Sequence, residues 1–444
     1  MLHQSLKRRY ISLIRQFSNV KLDDDVSRKI DNEVFKPRRH PGRGLMNNVS
    51  VPDNVVNAIV NITEDYPIKS LLENSKVLVQ HLISKLPPVE SFELREIKKE
   101  VTREVMEKYE NVEINEDEKD RFHQSVQVKI DNALSHKVYN WTACDYGVYN
   151  SLLYLIGRFA PEYAVLIKVL HEITIRDADF KPRSLFDFGS GVGTATWAAK
   201  HYWNKYLFEY FNVDSSADMN DLAQLLLQDG RGTKQINLKG IFYRQFLPAT
   251  NIAYDLVISA YTLMELPSRR ARLQTILNLW NKTLHYLVVV EHGTNAGFKI
   301  INEVRDFILN FKDSNEGYVF SPCPHNRPCP RFLTDVTPCN FHVSYMSLPI
   351  GQSSDSHKER YSYVVLKKGI RNESDPQWPR IVRPPLVRSK HTICRLCTKQ
   401  GKLSEIIFTT SKHGKTTYYC ARSSKWGDRL PIVDINEEKE DTLY

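Results

Sequence analysis

The chain reads as an α/β protein built on a parallel sheet, and three observations predict it. Between Ser184 and Asn310 short apolar runs alternate with helical stretches, the rhythm of βαβ units. A run of glycines separates the first apolar run from the helix after it. Residues 52–176 carry apolar side chains at three- and four-residue spacing, so a helical region precedes the sheet. The 444 residues suit two or three domains at about 150 each. With 41% hydrophobic and 25% charged residues the chain is no disordered polyampholyte. No apolar run reaches the ~18–20 residues of a membrane span. Lys and Arg exceed Asp and Glu by 61 to 52, although the last eleven residues run acidic. The positive excess therefore sits upstream, where clustering would suit a polyanionic partner.

Taken in order, residues 1–22 contain Lys7, Arg8, Arg9, Arg15 and Lys21, with no acid before Asp23. Leu2, Leu6, Tyr10, Leu13 and Phe17 recur at helical spacing. That is the composition of a mitochondrial transit peptide, expected to span 1–17 with processing after Phe17 and to direct the chain to the matrix. A basic nucleic-acid arm is the alternative. Residues 36–44 are basic and broken by Pro and Gly, which excludes a helix or central strand. A helical N-terminal domain is expected over 18–176. Within it, 90–135 is densely charged with one apolar stripe, and 148–172 is apolar enough to pack against the sheet domain C-terminal to it.

The α/β domain is expected over 177–368. Ser184–Phe188 is its first strand, and further strands are expected at 207–213, 237–243, 255–260 and 284–291. Helices are expected at 194–201, 216–227, 268–282 and 297–310. Phe341–Leu348 and Tyr361–Lys367 read as a closing antiparallel pair.

The glycine run is Asp187-Phe-Gly189-Ser-Gly191-Val-Gly193. Glycines let backbone approach a ligand, and the next helix offers unpaired N–H groups. The third glycine comes one residue too early for the dinucleotide fingerprint. Asp214 ends the next strand, where a carboxylate can accept from ribose hydroxyls. This pattern resembles class I S-adenosylmethionine-dependent methyltransferases. The resemblance implies a Rossmann-like fold in which Asp187, Gly189, Gly191, Gly193 and Asp214 hold S-adenosylmethionine. A tight strand–helix turn without ligand and a dinucleotide site are the competing readings. After the fourth strand stands Ile258-Ser-Ala-Tyr261-Thr-Leu-Met-Glu265. It has neither the Asn/Asp-Pro-Pro motif of amino-directed base methyltransferases nor a Pro-Cys nucleophile. Tyr261, Glu265 and Glu291 are in a position to line the site, as core or capping residues no less than as catalysts. No catalytic base can be named.

Six of seven cysteines fall between 323 and 420. Ser321–Pro330 packs four prolines and two cysteines into ten residues; Cys339 and the Cys394-Arg-Leu-Cys397 pair come after them. Clustered soft ligands in a chain without a secretory segment point to zinc or iron–sulfur ligation, with reduced loop cysteines as the plain alternative. Four features together resemble the methyltransferase-like protein 17 family, over about 140–431. They are the glycine loop, Val290-Glu-His-Gly-Thr294-Asn-Ala-Gly297-Phe, Cys-Pro-His-x-x-x-Cys-Pro, and Ala421-Arg-Ser-Ser-Lys-Trp426-Gly-Asp. The resemblance implies a [4Fe–4S] cluster on Cys323, Cys329, Cys339 and Cys397, with Cys394 the runner-up for the fourth ligand. It also implies a role in assembling the mitochondrial small ribosomal subunit, with its rRNA and ribosomal proteins as partners. On this reading 321–340 is a cysteine-rich insertion, 369–434 a small basic β-unit sharing the cluster, and 435–444 an acidic tail. An active rRNA methyltransferase and a zinc-stabilised RNA-binding module remain as alternatives.

Residues 376–403 hold seven Lys or Arg and no carboxylate. Arg380, Arg383, Arg388, Lys390 and Arg395 are therefore expected to meet RNA phosphates. Arg422, Lys425 and Trp426 are expected to extend that face, with Trp426 as a stacking surface.

Overall fold

A computed structural model describes residues 20–109, 119–236, 238–249, 252–311, 317–334, 337–351, 353–372 and 374–435. The expected transit segment 1–17 and all but the first residue of the acidic tail lie outside them. Fourteen strands are described among these residues: β1 (Val20–Leu22), β2 (Ser184–Phe188), β3 (Glu209–Val213), β4 (Ile241–Arg244), β5 (Tyr254–Ala260), β6 (Thr283–His292), β7 (Gly317–Ser321), β8 (Phe341–Met346), β9 (Ser356–Lys368), β10 (Arg380–Ile381), β11 (Leu386–Val387), β12 (His391–Cys397), β13 (Leu403–Thr409) and β14 (Ile432–Asp434).

The main sheet has the order β4-β3-β2-β5-β6-β9-β7, with β8 on β9. Strands β2 to β6 pair in parallel, whereas β9 is antiparallel to β6, β7 and β8. Counted from β2 with β8 left aside, this is 3-2-1-4-5-7-6: the doubly wound order with one reversed strand inserted before its last. It is the class I methyltransferase fold. Leu185, Phe186, Leu256 to Ile258 and Tyr286 to Val290 are all buried, because helices cover both faces of these strands.

Helices Asp53–Thr63, Ile68–Ser84 and Val148–Arg176 pack on one face beside Thr194–Trp203 and Ala217–Leu227. Arg269–Asn281 and Asn295–Asn310 cover the other. The helix Val148–Arg176 is buried on most sides, which is why its sequence lacks a polar face. Ser91–Met106 and Lys119–Lys137 instead pair around a small core of their own, Val101, Val105, Val126 and Ile130. That core is the single apolar stripe expected within their charged surfaces. Among the described residues no helix is long and apolar enough to cross a membrane.

Two features differ from the sequence reading. β7 lies where no strand is expected from the sequence, since it is short and runs straight into Ser321-Pro322. The expected antiparallel pair forms between β8 and the first half of β9, Phe341 opposite Tyr361, while β7 makes the second half of β9 an interior strand. Residues 20–32 do not pack with the helices C-terminal to them. β1 pairs with β14, and Val20, Leu22 and Val26 join Trp378, Ile381, Leu396, Phe408 and Ile432 in a C-terminal core. Asp23 caps the helix Asp24–Asp31 and accepts from Trp378 Nε1 at 3.0 Å.

The C-terminal unit, β10 to β13 under the helix Thr410–Ser423, is fastened to the methyltransferase fold by a buried ionic junction. Arg380 donates to both oxygens of Glu172, at 2.5 and 3.1 Å. Arg176 donates to Glu172 and to Asp375, each at 2.8 Å. Burial alone would raise the Glu172 pKa; the two guanidiniums overcome it and hold the carboxyl well below the usual range. Removing one partner of such a pair strands a buried charge and costs about 3–5 kcal/mol, whereas replacing both by apolar groups is often neutral. Arg380→Met is therefore expected to lose about that much in a denaturant titration. Glu172→Met in the same chain should recover most of it; loss without recovery would mean that the junction acts through other contacts.

Candidate functional site

Beyond the C-terminal end of β2 the chain turns through Gly189, Gly191 and Gly193 at φ of 69°, 48° and 78°. At Gly189 a Cβ would stand 2.1 Å from Thr262 Oγ1, so both the backbone and the space demand glycine. Gly189 and Ser190 donate to Val213 O at 2.7 and 3.0 Å. Asp214 Oδ2 accepts from Gly191 N at 2.8 Å, and Oδ1 from Ser216 N at 2.9 Å. The carboxylate thus ties the loop to the end of β3 while each oxygen keeps lone-pair capacity for a ligand. Burial raises its pKa, against the pull of these two N–H groups.

Asp187 is 2% exposed, and its Oδ2 has no partner among the described residues. Burial, then the neighbouring Asp214 and Glu162 carboxylates, push its pKa up to about 8. With Glu162 taken by Arg158, the two aspartates beside the glycine loop make a site suited to a cation. Tyr154 stands over the loop, 3.9 Å from where a Gly191 Cβ would be, and its ring meets Tyr146 edge-on.

The residues expected at the strand ends are committed elsewhere. Glu265 is ion-paired with the buried Lys85. Glu291 Oε1 accepts from Leu263 and Met264 N–H at 3.0 and 3.3 Å, capping the turn after β5. Tyr261 has a φ of 57° and lies under the Arg158 guanidinium, 5.0 Å from its ring centre. Arg158 itself bridges Glu162 and Glu359, each at 3.1 Å. The capping, pairing and stacking of these groups leave the catalytic assignment open.

The second site lies at the seam with the C-terminal unit. Cys323 and Cys329 come from the proline-rich loop after β7, Cys339 precedes β8, and Cys397 ends β12. Burial first, then Cys323, Cys339 and Cys329, raise the Cys397 thiol well above its ordinary pKa. Cys329 is pushed up to about 11 by burial and Cys323. Cys339 is raised by burial and then by Cys329 and Cys323. The four sulfurs thus lie in one another's field. Among the described residues, no three His, Cys, Asp or Glu side chains converge closely enough for a single metal ion. Cys394, three residues before Cys397, points to the opposite face of β12. There it sits in the C-terminal core with Cys420, 3.9 Å from Ala421 O.

Sequence reading overlooks the groups around these thiols. His325 Nε2 is 3.3 Å from Cys397 Sγ, and its Nδ1 is 3.0 Å from Arg327 O. Buried Arg305 donates to the carbonyls of His325, at 3.2 Å, and Arg327. The histidine inside the Cys-Pro-His motif is the signal available for the first of these.

The basic strip divides. Arg380 is no surface residue: besides Glu172 it donates to Pro322 O and Gly427 O, both at 2.8 Å, and it is 4% exposed. Arg395 is exposed but paired with Glu405 at 2.7 Å across β12 and β13, a carboxylate just beyond the acid-free stretch. Arg383 is half-buried and donates to Thr337 Oγ1. Arg388 and Lys390 are exposed. Trp426 is half-buried with its ring 5.1 Å from His342, and Arg422 donates to Tyr418 Oη at 2.9 Å. The Trp426 ring, packed against Phe341 and His342, is not the open stacking surface expected of it.

Similarity to known proteins covers the same span. The family model for the mitochondrial small ribosomal subunit protein Rsm22 matches residues 148–431. The human ribosome assembly protein METTL17, mitochondrial, is 35% identical, over 89% of this chain and 86% of its own length. The Saccharomyces cerevisiae ribosome assembly protein RSM22, mitochondrial, is 26% identical, over 62% of this chain and 66% of its own. Among solved structures, a SAM-dependent methyltransferase from Aquifex aeolicus is 12% identical, over 51% of this chain and all of its own. Its TM-score is 0.31, and the fold assignment rests on the strand order alone.

Proposed function

The chain belongs to the Rsm22 family of the mitochondrial small ribosomal subunit, and from that premise we propose that it works in the mitochondrial matrix as an assembly factor of that subunit. In this reading it contacts rRNA and ribosomal proteins, carries S-adenosylmethionine on the glycine loop, and holds a [4Fe–4S] cluster at the seam. The observation that carries the reading is the meeting of Cys323, Cys329, Cys339 and Cys397 from distant segments beside a buried junction. Cys329, Cys339 and Cys397, raised by burial and by neighbouring sulfurs, do not ionise together without a bound cation. A single zinc would draw four sulfurs to about 3.8 Å apart, given Zn–S bonds of ~2.3 Å. Four cysteine thiolates are equally the ligand set of a [4Fe–4S] cluster, the reading we take for this seam. Bound there, the cluster supplies cross-links between the proline-rich loop and β12.

Chain purified without oxygen is expected to contain about four irons and four sulfides. Each of Cys323→Ser, Cys329→Ser, Cys339→Ser and Cys397→Ser should lose them, while Cys394→Ser keeps them. Stoichiometric zinc without sulfide would replace the cluster by a zinc module.

For the glycine-loop pocket, S-adenosylmethionine offers the cationic groups of its methionine end to Asp187 and its ribose hydroxyls to Asp214. Asp187 has a raised pKa of about 8, so below that pH binding must first remove its proton. Affinity should therefore climb toward tenfold per pH unit below about 8 and level off above it. Asp187→Asn gives the background set by the cofactor's own amino group, and calorimetry should find its profile flatter. Asp214→Ala should weaken binding roughly ten- to a hundredfold, the worth of hydrogen bonds to a charged acceptor. Parallel pH profiles for Asp187→Asn and wild type would remove Asp187 from the site.

RNA contact is assigned to the exposed part of the strip. Replacing Arg388 and Lys390 together should lower the log–log salt slope of RNA binding by roughly 1.4–1.8. An unchanged slope would place the RNA surface elsewhere.

A further inference from the structure

A separate cavity of about 40 Å³ lies between residues 41–44, the helix Val148–Arg176, β9 and the C-terminal unit. Its wall carries Arg43, Lys168, Arg176, Arg380 and Arg429, against the single carboxylate of Glu172. Behind the wall stand Asp375 and Asp428. Asp375 also serves Arg371, at 3.3 Å, and lies 3.7 Å from Arg429. Asp428 stands 3.7 Å from Arg43 Nε, beyond hydrogen-bond reach, and spends its oxygens on the N–H groups of Gly44 and Lys425. Five cations thus meet three carboxylates, one of them shared outward.

The deficit shows in the side chains. Arg176 Nε and Arg43 Nε have no hydrogen-bond partner among the described residues, although these side chains are 6% and 10% exposed. Burial, with Arg176 and Arg380 close by, draws the Arg429 pKa down to about 9. A guanidinium keeps its proton in a protein, so such a site answers with a counter-ion instead.

We propose that this cavity binds one tetrahedral oxyanion, a phosphate group, held by Arg43, Arg176 and Arg429 with Lys168 at its side. Guanidinium forks match phosphate oxygens. The volume exceeds the ~10–15 Å³ that a water needs and falls far below the ~300 Å³ of a small-molecule pocket. A phosphate group fits and a nucleotide does not. The anion would lock residues 41–44 against the junction, where Arg429 N already donates to Gly42 O at 2.8 Å. The inference is independent of both the cluster and the glycine-loop pocket.

The test is titration of the full chain with sodium phosphate against sodium chloride at equal ionic strength, read by calorimetry and thermal unfolding. Saturable one-site binding is expected, with Tm rising by about 2–4 °C or more at a hundredfold excess over Kd. Arg43→Gln should weaken it by about tenfold or more. Arg43 also approaches Asp428, so Lys168→Met is the second variant, with the same expectation. Phosphate acting no differently from chloride, or unchanged affinity in both variants, would overturn the proposal. A short RNA with a 5′-phosphate, compared with its 5′-hydroxyl form, separates the sources. Competition by phosphate against the phosphorylated strand alone identifies an RNA terminus; equal behaviour of the two identifies a free anion.

Discussion

The Glu172 carboxylate, held between Arg380 and Arg176, is the constraint on which the arrangement of this chain depends. It fixes the end of the longest described helix to the first strand of the C-terminal unit. Arg380 pairs with Cys397 in the β10–β12 register, and its Nε takes the carbonyl of Pro322, next to Cys323. One guanidinium therefore sets the distance between the two segments that bring the thiols together. A charged pair is a costly way to join two layers. It has a geometric advantage over apolar contact, because a guanidinium fork allows few orientations of the strand that bears it.

The two sites have opposite electrostatics, and the fold keeps them apart. At the ends of β2 and β3, Asp187 and Asp214 set two carboxyl groups beside a loop whose backbone is tied down by Asp214 itself. At the seam, Arg305, Arg331, Arg380 and Arg429 concentrate positive charge around thiols and a small cavity. The helix Val148–Arg176 runs between them, supplying Tyr154 and Glu162 to the first site and Lys168, Glu172 and Arg176 to the second. Binding at either site thus bears on the same rigid element.

Much of this is legible from the residues. The parallel strands announce themselves as unbroken apolar runs because both faces are covered, and glycines at positive φ mark the loop because other residues are strained there. The outer part of the sheet is harder. β7 is short and runs into a proline-rich motif, and the polar start of β9 hides that its second half lies inside the sheet, between β6 and β7. Charge misleads where depth is unknown. Arg380 looks like Arg388 in the sequence, and only packing against Glu172 distinguishes them. Glu172 itself sits in a stretch notable for its apolar residues. Asp23 and Val26 look like part of the N-terminal helices, since pairing between β1 and β14 joins chain segments too distant for any local pattern to reveal.

The central claim is that the thiols and the ionic junction together seat the C-terminal unit on the methyltransferase fold. Amide hydrogen exchange, compared between chain loaded anaerobically with iron and sulfide and the same chain stripped of metal, tests it most directly. Protection should rise on loading in 318–331 and 391–397 and stay unchanged in 184–188, 254–260 and 283–292. Equal exchange throughout, or a change spread evenly over the sheet, would contradict the account.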